Sequence, residues 1–218
     1  MWLLSPPGVY RPQDDTLLLE EALKREPLAD GTEVLDLGTG SGALALTAAE
    51  RGAAQVTAVD ASLGAVCTTW LNARLNGLRV KVLRGDLTAP VTGHRFDLIT
   101  ANPPYVPSPQ ADLPTRGRAL AWDAGSDGRA LLDRICSDVP PLLAPGGVLL
   151  LVHSALCCVE RTLGRLRHAG LRAAVTERRY IPFGPVLRDR SAWLQAQGLI
   201  AAGEDKEELV VIRAERER

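Results

Sequence analysis

Between Glu33 and Ala43 the chain reads Glu33-Val34-Leu35-Asp36-Leu37-Gly38-Thr39-Gly40-Ser41-Gly42-Ala43, and no other stretch restricts its fold as much. The apolar run before Gly38 is too short for a helix and reads as a buried strand; the Ala- and Leu-rich segment after Gly42 reads as a helix. The glycines therefore occupy the turn of a βα unit. Glycine permits positive φ there and lets a ligand approach the backbone closely, while the first N–H groups of the following helix lack intrahelical partners. The alternation continues: a strand at Gln55–Asp60, a helix from about Ser62 to Asn76, a short strand at Val80–Leu83 and another at Phe96–Ala101. Strands separated by helices form parallel pairs, so the expected class is α/β, with a mostly parallel sheet flanked by helices.

Acids mark these strands. Asp36 lies in the first, Asp60 closes the second and Asp86 follows the third, on the rim where open parallel sheets bind ligands. Written Gly38-x-Gly40-x-x-Ala43, the turn also fits the dinucleotide fingerprint of dehydrogenases, and a lone glycine pattern is weak support for either cofactor. Asp60 suits the two hydroxyls of a ribose and equally suits a cap for the helix beginning near Ser62; the two roles can coexist.

The strand Phe96–Ala101 runs straight into Asn102-Pro103-Pro104-Tyr105. The prolines stop the strand, fix their own φ angles and push Asn102 out of the helical region, so the exit is a nearly rigid turn. It offers an amide oxygen and a main-chain carbonyl that can accept both hydrogens of one planar NH2 group, with the Tyr105 ring able to stack on that group. A dehydrogenase has no need of such a turn.

Taken together, Asp36-x-Gly38-x-Gly40-x-Gly42, Asp60, Asp86 and Asn102-Pro103-Pro104-Tyr105 resemble the class I S-adenosylmethionine methyltransferases acting on exocyclic or amide nitrogen. More closely, the set looks like the short branch of the HemK-like protein glutamine methyltransferases. Val9–Leu18 and Ala121-Trp122-Asp123-Ala124-Gly125-Ser126-Asp127-Gly128-Arg129 extend it, so that it runs from about Val9 to Leu171. The resemblance implies a Rossmann-like class I methyltransferase fold: a seven-stranded, mostly parallel sheet with an antiparallel C-terminal hairpin. It implies S-adenosyl-L-methionine as cofactor and in-line methyl transfer to a planar nitrogen, with no metal. Catalytic roles fall to Asn102, Pro103, Pro104 and Tyr105. Cofactor contacts fall to Thr16, Asp36, Gly38, Thr39, Gly40, Gly42, Asp60, Ala61, Asp86, Leu87 and Asn102. Within that set Asp36 would lie near the amino-acid end, Asp60 at the ribose and Asp86 at the adenine amine.

The substrate implied is a glutamine side chain in a protein such as a translation release factor. Adenine and guanine amines present the same planar NH2, so methylation of RNA or DNA is the alternative, and a non-catalytic cofactor-binding scaffold is another. A formal net charge of −1, with no appended nucleic-acid module in view, weighs against nucleic acid. The same branch pairs the edge strand, here residues 79–84, with a small zinc-binding activator protein by strand addition. Arg79, Lys81 and Arg84 equally suit a charged guard on an unpaired edge.

Residues 1–218 read as one domain, with 1–30 as a segment covering the cofactor. The apolar start lacks a basic n-region and no run reaches membrane-spanning length, so a cytoplasmic protein without membrane contact is expected. A helix should begin near Asp15 or Thr16 behind a capping acid. The path from Asn102 to about Asp127 should be irregular, as expected of a functional loop. Beyond it come a helix at Gly128–Leu143, a strand Val148–Val152 ending at His153, a helix Leu156–His168, and strands Ala173–Glu177 and Glu208–Arg213. Residues 181–205 depart from the family pattern as an insertion with a helix at Val186–Gln197, either packed on the sheet edge or serving as a lid. Cys67, Cys136, Cys157 and Cys158 lack paired spacing and read as reduced core residues.

Overall fold

The computed structural model describes every residue except Ala111, Thr115 and Arg116, and of Arg118 it describes the backbone alone. The irregular path expected at positions 111, 115 and 116 thus lies outside the described residues. Seven strands form a single sheet in the order β3-β2-β1-β4-β5-β7-β6. They are β1 Glu33–Leu37, β2 Gln55–Asp60, β3 Lys81–Arg84, β4 Phe96–Ala101, β5 Leu143–Ser154, β6 Leu171–Pro182 and β7 Lys206–Arg216. β1 to β5 pair parallel, and β7 runs antiparallel between β5 and β6. The expected sheet is therefore the observed one. β1 and β4 are buried along nearly their whole length, as befits central strands covered on both faces.

The helices are α1 Asp14–Arg25, α2 Ala43–Glu50, α3 Leu63–Leu75, α4 Ala130–Asp138, α5 Val159–His168, α6 Pro185–Asp189 and α7 Ser191–Ala196. α1 to α5 pack as two groups around the sheet, α1 with α2 and α3, and α4 with α5. A continuous apolar core runs from Leu18 and Leu19 of α1 through β1, β4 and β5 to Val210 and Ile212 of β7.

Several boundaries differ from the sequence reading, each for a local reason. α1 begins at Asp14 after an N-cap at Gln13 with no side-chain cap, and Asp15 is buried instead of capping. The helix expected to reach Leu143 stops at Asp138, because Pro140 and Pro141 tighten the chain into a 3-10 turn. β5 starts at Leu143, so Pro145-Gly146-Gly147 lies inside the strand, and the register with β4 shifts between Phe96 and Leu98. α5 begins three residues late, after Cys158 in the left-handed region (φ 59°). β6 extends to Pro182, which shortens the connection to β7 to residues 183–205, and its expected single helix is two short ones meeting at Arg190. Cys67 and Cys158 are exposed, unlike Cys136 and Cys157. Among the described residues, no helix is long and apolar enough to cross a membrane.

Candidate functional site

A cavity of about 340 Å³ opens at the C-terminal ends of the parallel strands. Gly38 and Gly40 from the turn after β1, Asp60 and Ala61 after β2, Asp86 and Leu87 after β3, and Asn102 to Tyr105 after β4 all line it. β1 to β4 therefore deliver their exits to the same hollow, the usual consequence of a doubly wound sheet. Gly8, Val9 and Tyr10 form a wall from the N-terminal segment.

The glycine turn is held by the Gly38 and Thr39 N–H groups donating to the Val59 carbonyl and by the side chains of Asp36, Asp60, Thr69 and Asn72. Gly38, Gly40 and Gly42 have φ of 70°, 56° and 90°, a region that suits glycine. A Cβ on Gly38 would come within 3.3 Å of the Asn102 carbonyl, and one on Gly42 would meet Leu46 and Thr69 at 2.9 Å. Gly38 thus keeps the cavity floor open, while Gly42 permits α2 to pack on α3. Asp60 accepts the Gly40 N–H at 2.9 Å through one oxygen and the Ser62 N–H at 2.8 Å through the other. Ser62 itself caps α3 by accepting the Ala65 N–H. Asp60 therefore braces both loops, and each carboxylate oxygen retains acceptor capacity toward the cavity it lines.

Not every expected residue reaches the cavity. Asp36 is 0 % exposed, and its two oxygens accept the hydroxyls of Thr39 and Thr100, each at 2.7 Å. Burial raises its pKa to about 6 against the pull of those hydroxyls. Asp36, Thr39 and Gly42 support the turn from behind. Thr16 also stands outside the lining, where its hydroxyl accepts the Asn102 amide Nδ2–H at 3.2 Å. Asp86 lies at the mouth, 65 % exposed in its side chain, and pairs with Arg134 of α4 at 2.8 Å. Leu87 has φ 47°, an outlying conformation for a bulky side chain, and lines the wall.

The Asn102–Tyr105 turn is anchored by residues that its own sequence does not announce. Asp15 Oδ2 accepts both the Tyr10 hydroxyl at 2.7 Å and the Tyr105 hydroxyl at 3.1 Å. Asp15 Oδ1 accepts the Thr16 hydroxyl at 3.2 Å, and that hydroxyl in turn accepts from Asn102. A short chain of hydrogen bonds thus turns the Asn102 amide so that its nitrogen faces Thr16. Tyr105 is 9 % exposed, with its hydroxyl pinned at one end and its carbonyl accepting the Cys157 thiol at 3.0 Å. Its ring lines the cavity with no freedom to swing. Burial, reinforced by the Asp15 charge, pushes both phenol pKa values above their ordinary range, so each stays a donor.

The matching family model is the methyltransferase small domain, over residues 1–120. The chain belongs to that family. Across 177 residues it is 34 % identical to a Methanocaldococcus jannaschii protein provisionally named a protein N5-glutamine methyltransferase, covering 81 % of this chain and 88 % of the relative. A Geobacter sulfurreducens protein named release factor glutamine methyltransferase is 38 % identical over 171 residues, covering 75 % of this chain but 59 % of its own length. Among solved structures, the E. cuniculi Mtq2–Trm112 complex, described as methylating the termination factor eRF1, aligns with TM-score 0.66. That alignment is 24 % identical, covers 96 % of this chain and 99 % of the other, and speaks to the fold.

Within this methyltransferase, sequence reasoning missed Tyr10, Asp15 and Arg134 as cavity residues. Arg134 follows Leu131 at helical spacing on α4, and both line the cavity, a pairing that amphipathic phase could have revealed. His153 is buried on β5 outside the lining, with Nδ1 2.8 Å from the Ser154 carbonyl and Nε2 unpartnered among the described residues. Burial lowers its pKa to about 4, which keeps it neutral and makes it part of the core. Arg129, in the run that extended the family likeness, is 2 % exposed and joins Asp133 to the Cys157 and Cys158 carbonyls and Thr162 at the start of α5.

Proposed function

We propose that this methyltransferase moves a methyl group from S-adenosylmethionine to the side-chain amide nitrogen of a glutamine in a protein, such as a translation release factor. The observation that carries the reading is the Asp15–Thr16–Asn102 chain, which commits the nitrogen of Asn102, a cavity-lining residue, to Thr16 and leaves its oxygen as the amide's acceptor. The names of the two relatives support the same acceptor.

The cavity suits the cofactor. Gly38 and Gly40 present backbone without side chains, Asp60 offers two acceptor oxygens suited to a ribose, and Ala61, Leu87 and Val9 give an apolar wall for a base. When bound there, S-adenosylmethionine supplies an electrophilic methyl group on a sulfonium centre. The chain's own part is to place and polarise the acceptor. An amide nitrogen is a weak nucleophile, so fixing its plane and approach supplies much of the acceleration. Asn102 Oδ1 and the Pro103 carbonyl accept the two N–H hydrogens, these bonds strengthen as positive charge develops on the nitrogen, and one of the two hydrogens then leaves as a proton to solvent, so that the methylated amide is neutral. The pinned Tyr105 ring holds the amide plane.

Tritium-labelled cofactor incubated with a lysate of the source organism, then split between protease and nuclease digestion, tests the reading. Label released by protease and recovered as N5-methylglutamine is expected. Label released by nuclease alone would transfer the activity to an exocyclic base amine, and no label with intact cofactor binding would leave a scaffold.

We further infer that β3 receives a small zinc-binding activator protein. β3 is the outermost strand, pairing with β2 along one side only, and exposes Lys81 and Arg84. Light scattering of the protein purified from its native cell should show a complex heavier than the 23.3 kDa chain. A fully active monomer would leave the edge as a guarded surface.

A further inference from the structure

Residues 183–205 reach toward the cavity. Phe183, Leu187, Leu194 and Ile200 form a small core of their own, and Val106 and Leu156 pack against it. Val106 also lines the cavity and touches the main core, so it joins all three.

Where α6 meets α7, Arg190 extends to the base of the loop that follows Tyr105. Its Nη1 donates to the Pro107 carbonyl at 2.8 Å and lies 2.6 Å from Asp123 Oδ1, out of hydrogen-bond alignment with that oxygen. The other Asp123 oxygen lies 3.4 Å from the Ser108 hydroxyl, whose shorter bond of 2.7 Å goes to Gln110 Oε1. Pro107 and Ser108 belong to the outgoing leg of the loop and Asp123 to the returning one. Val106 N–H to the Trp122 carbonyl (2.7 Å), Ser108 N–H to the Gly125 carbonyl (2.9 Å) and Ala124 N–H to the Val106 carbonyl (3.1 Å) tie the legs together. One guanidinium therefore closes the neck of a loop whose Leu113, Leu120 and Trp122 line the cavity.

The side chains of Arg190 and Asp123 are 18 % and 10 % exposed. A pair so withdrawn from water is costly to break, since removing one partner strands the other's charge in a poorly solvated place. A surface ion pair would contribute little of this kind. The Phe183–Ile200 core makes the clasp stiff, because α6 and α7 cannot move without disturbing Val106.

We propose that Arg190 is a positioning residue, through which the 183–205 segment fixes the acceptor-side wall of the cavity. It touches neither cofactor nor reacting atoms, and acts by holding the neck formed by 106–108 and 122–125. Only the kinetic arm of the test below rests on the methyl-transfer reading.

The test compares the full chain with Arg190→Ala, Arg190→Lys and Asp123→Asn. Native-state hydrogen exchange at the amides of Val106, Ser108 and Ala124 should quicken about tenfold in Arg190→Ala, with the amides of β1 and β4 unchanged. Calorimetry with S-adenosylhomocysteine should give a Kd within about twofold of the parent. With a purified release factor from the same organism as probe, KM should rise about tenfold while kcat stays within about twofold. Arg190→Lys keeps the charge without the planar fork and should fall between the parent and Arg190→Ala; Asp123→Asn should match Arg190→Ala. Unchanged exchange at the three amides, or a fall in kcat at constant KM, would overturn the proposal. A parent enzyme that leaves the release factor unmethylated would refute the substrate reading alone, since the exchange arm still decides the role of Arg190.

Discussion

At the glycine-turn end of the cavity the bracing acids stand on β1 and β2, neighbouring strands of the sheet. Asp60 holds the Gly40 and Ser62 amides, and Asp36 holds Thr39 and Thr100. At the Asn102 end the bracing groups come from far apart: Tyr10, Asp15 and Thr16 from the N-terminal segment meet Asn102 and Tyr105, and Arg190 arrives from the connection between β6 and β7. The first end is a property of strand pairing, since β1 lies between β2 and β4 and their exits meet around its turn. The second is a property of tertiary packing. A cavity built this way can keep one end constant and alter the other by changing residues remote from it.

The sharpest way to break this contrast is to delete one group at each end. Asn102→Ala should lower kcat by about 10²–10³-fold, the range found when one preorganised polar contact to the transition state is lost. Its affinity for S-adenosylhomocysteine should stay within a few-fold. Asp60→Ala should do the reverse, raising that Kd about tenfold or more while leaving kcat at saturation largely intact. Loss of kcat and of affinity together in both variants would show that the two ends do not act separately.

The same contrast explains what could be read in the chain. β1, β2 and β4, the glycine turn, Asp60 and the Asn102–Tyr105 turn were legible because each carries its signal within a few residues: an apolar run, alternate glycines, paired prolines. The edge position of β3 was legible too, through the usual strand order of the fold. Asp15 was not, because an acid ahead of an amphipathic run looks like a cap, and its partner Tyr105 is 90 residues away. The clasp was hidden for the same reason: nothing around Arg190 or Asp123 points to the other. The break between α6 and α7 left equally little trace, since Asp189-Arg190-Ser191 suits a helix surface as well as a junction.

Asp15→Asn sharpens the comparison at the distant end. The amide is nearly isosteric but exchanges one acceptor oxygen for a donor, so at least one of the Tyr10, Tyr105 and Thr16 hydroxyls loses its acceptor in a buried place. That should cost about 1–3 kcal/mol of stability. If the hydrogen-bond chain orients Asn102, kcat should fall about tenfold with S-adenosylhomocysteine affinity unchanged. Stability measured by denaturant titration and single-turnover rates separate the two effects. A stability loss with full kcat would reduce Asp15 to a core acid.

Glu207→Gln should have the smallest effect on catalysis and the most specific dependence on pH. Glu207 sits on β7, is buried, and has an Oε2 without a partner among the described residues. Burial raises its pKa to about 7, the Asp15 charge adds to that, and the Ser154 hydroxyl opposes it. A carboxyl raised in the folded state favours folding at low pH. Its contribution is fully present below the unfolded value of 4.5 and is lost as the pH rises through about 7. A shift of that size corresponds to at most about 3 kcal/mol. Glu207→Gln removes the titration, so its stability relative to the parent should climb between pH 5 and 8 and level off above that range, while kcat stays within about twofold. His153, held down to about 4 from 6.5, works the other way: stability is lost as the pH falls from 6.5 through 4. Because His153 is present in both proteins, its slope cancels in the difference, and urea midpoints at matched pH isolate Glu207. A difference that does not change with pH would mean that Glu207 is already charged in the folded protein, and that the Asn102 end of the cavity carries two buried anions, Asp15 and Glu207, behind its tyrosines.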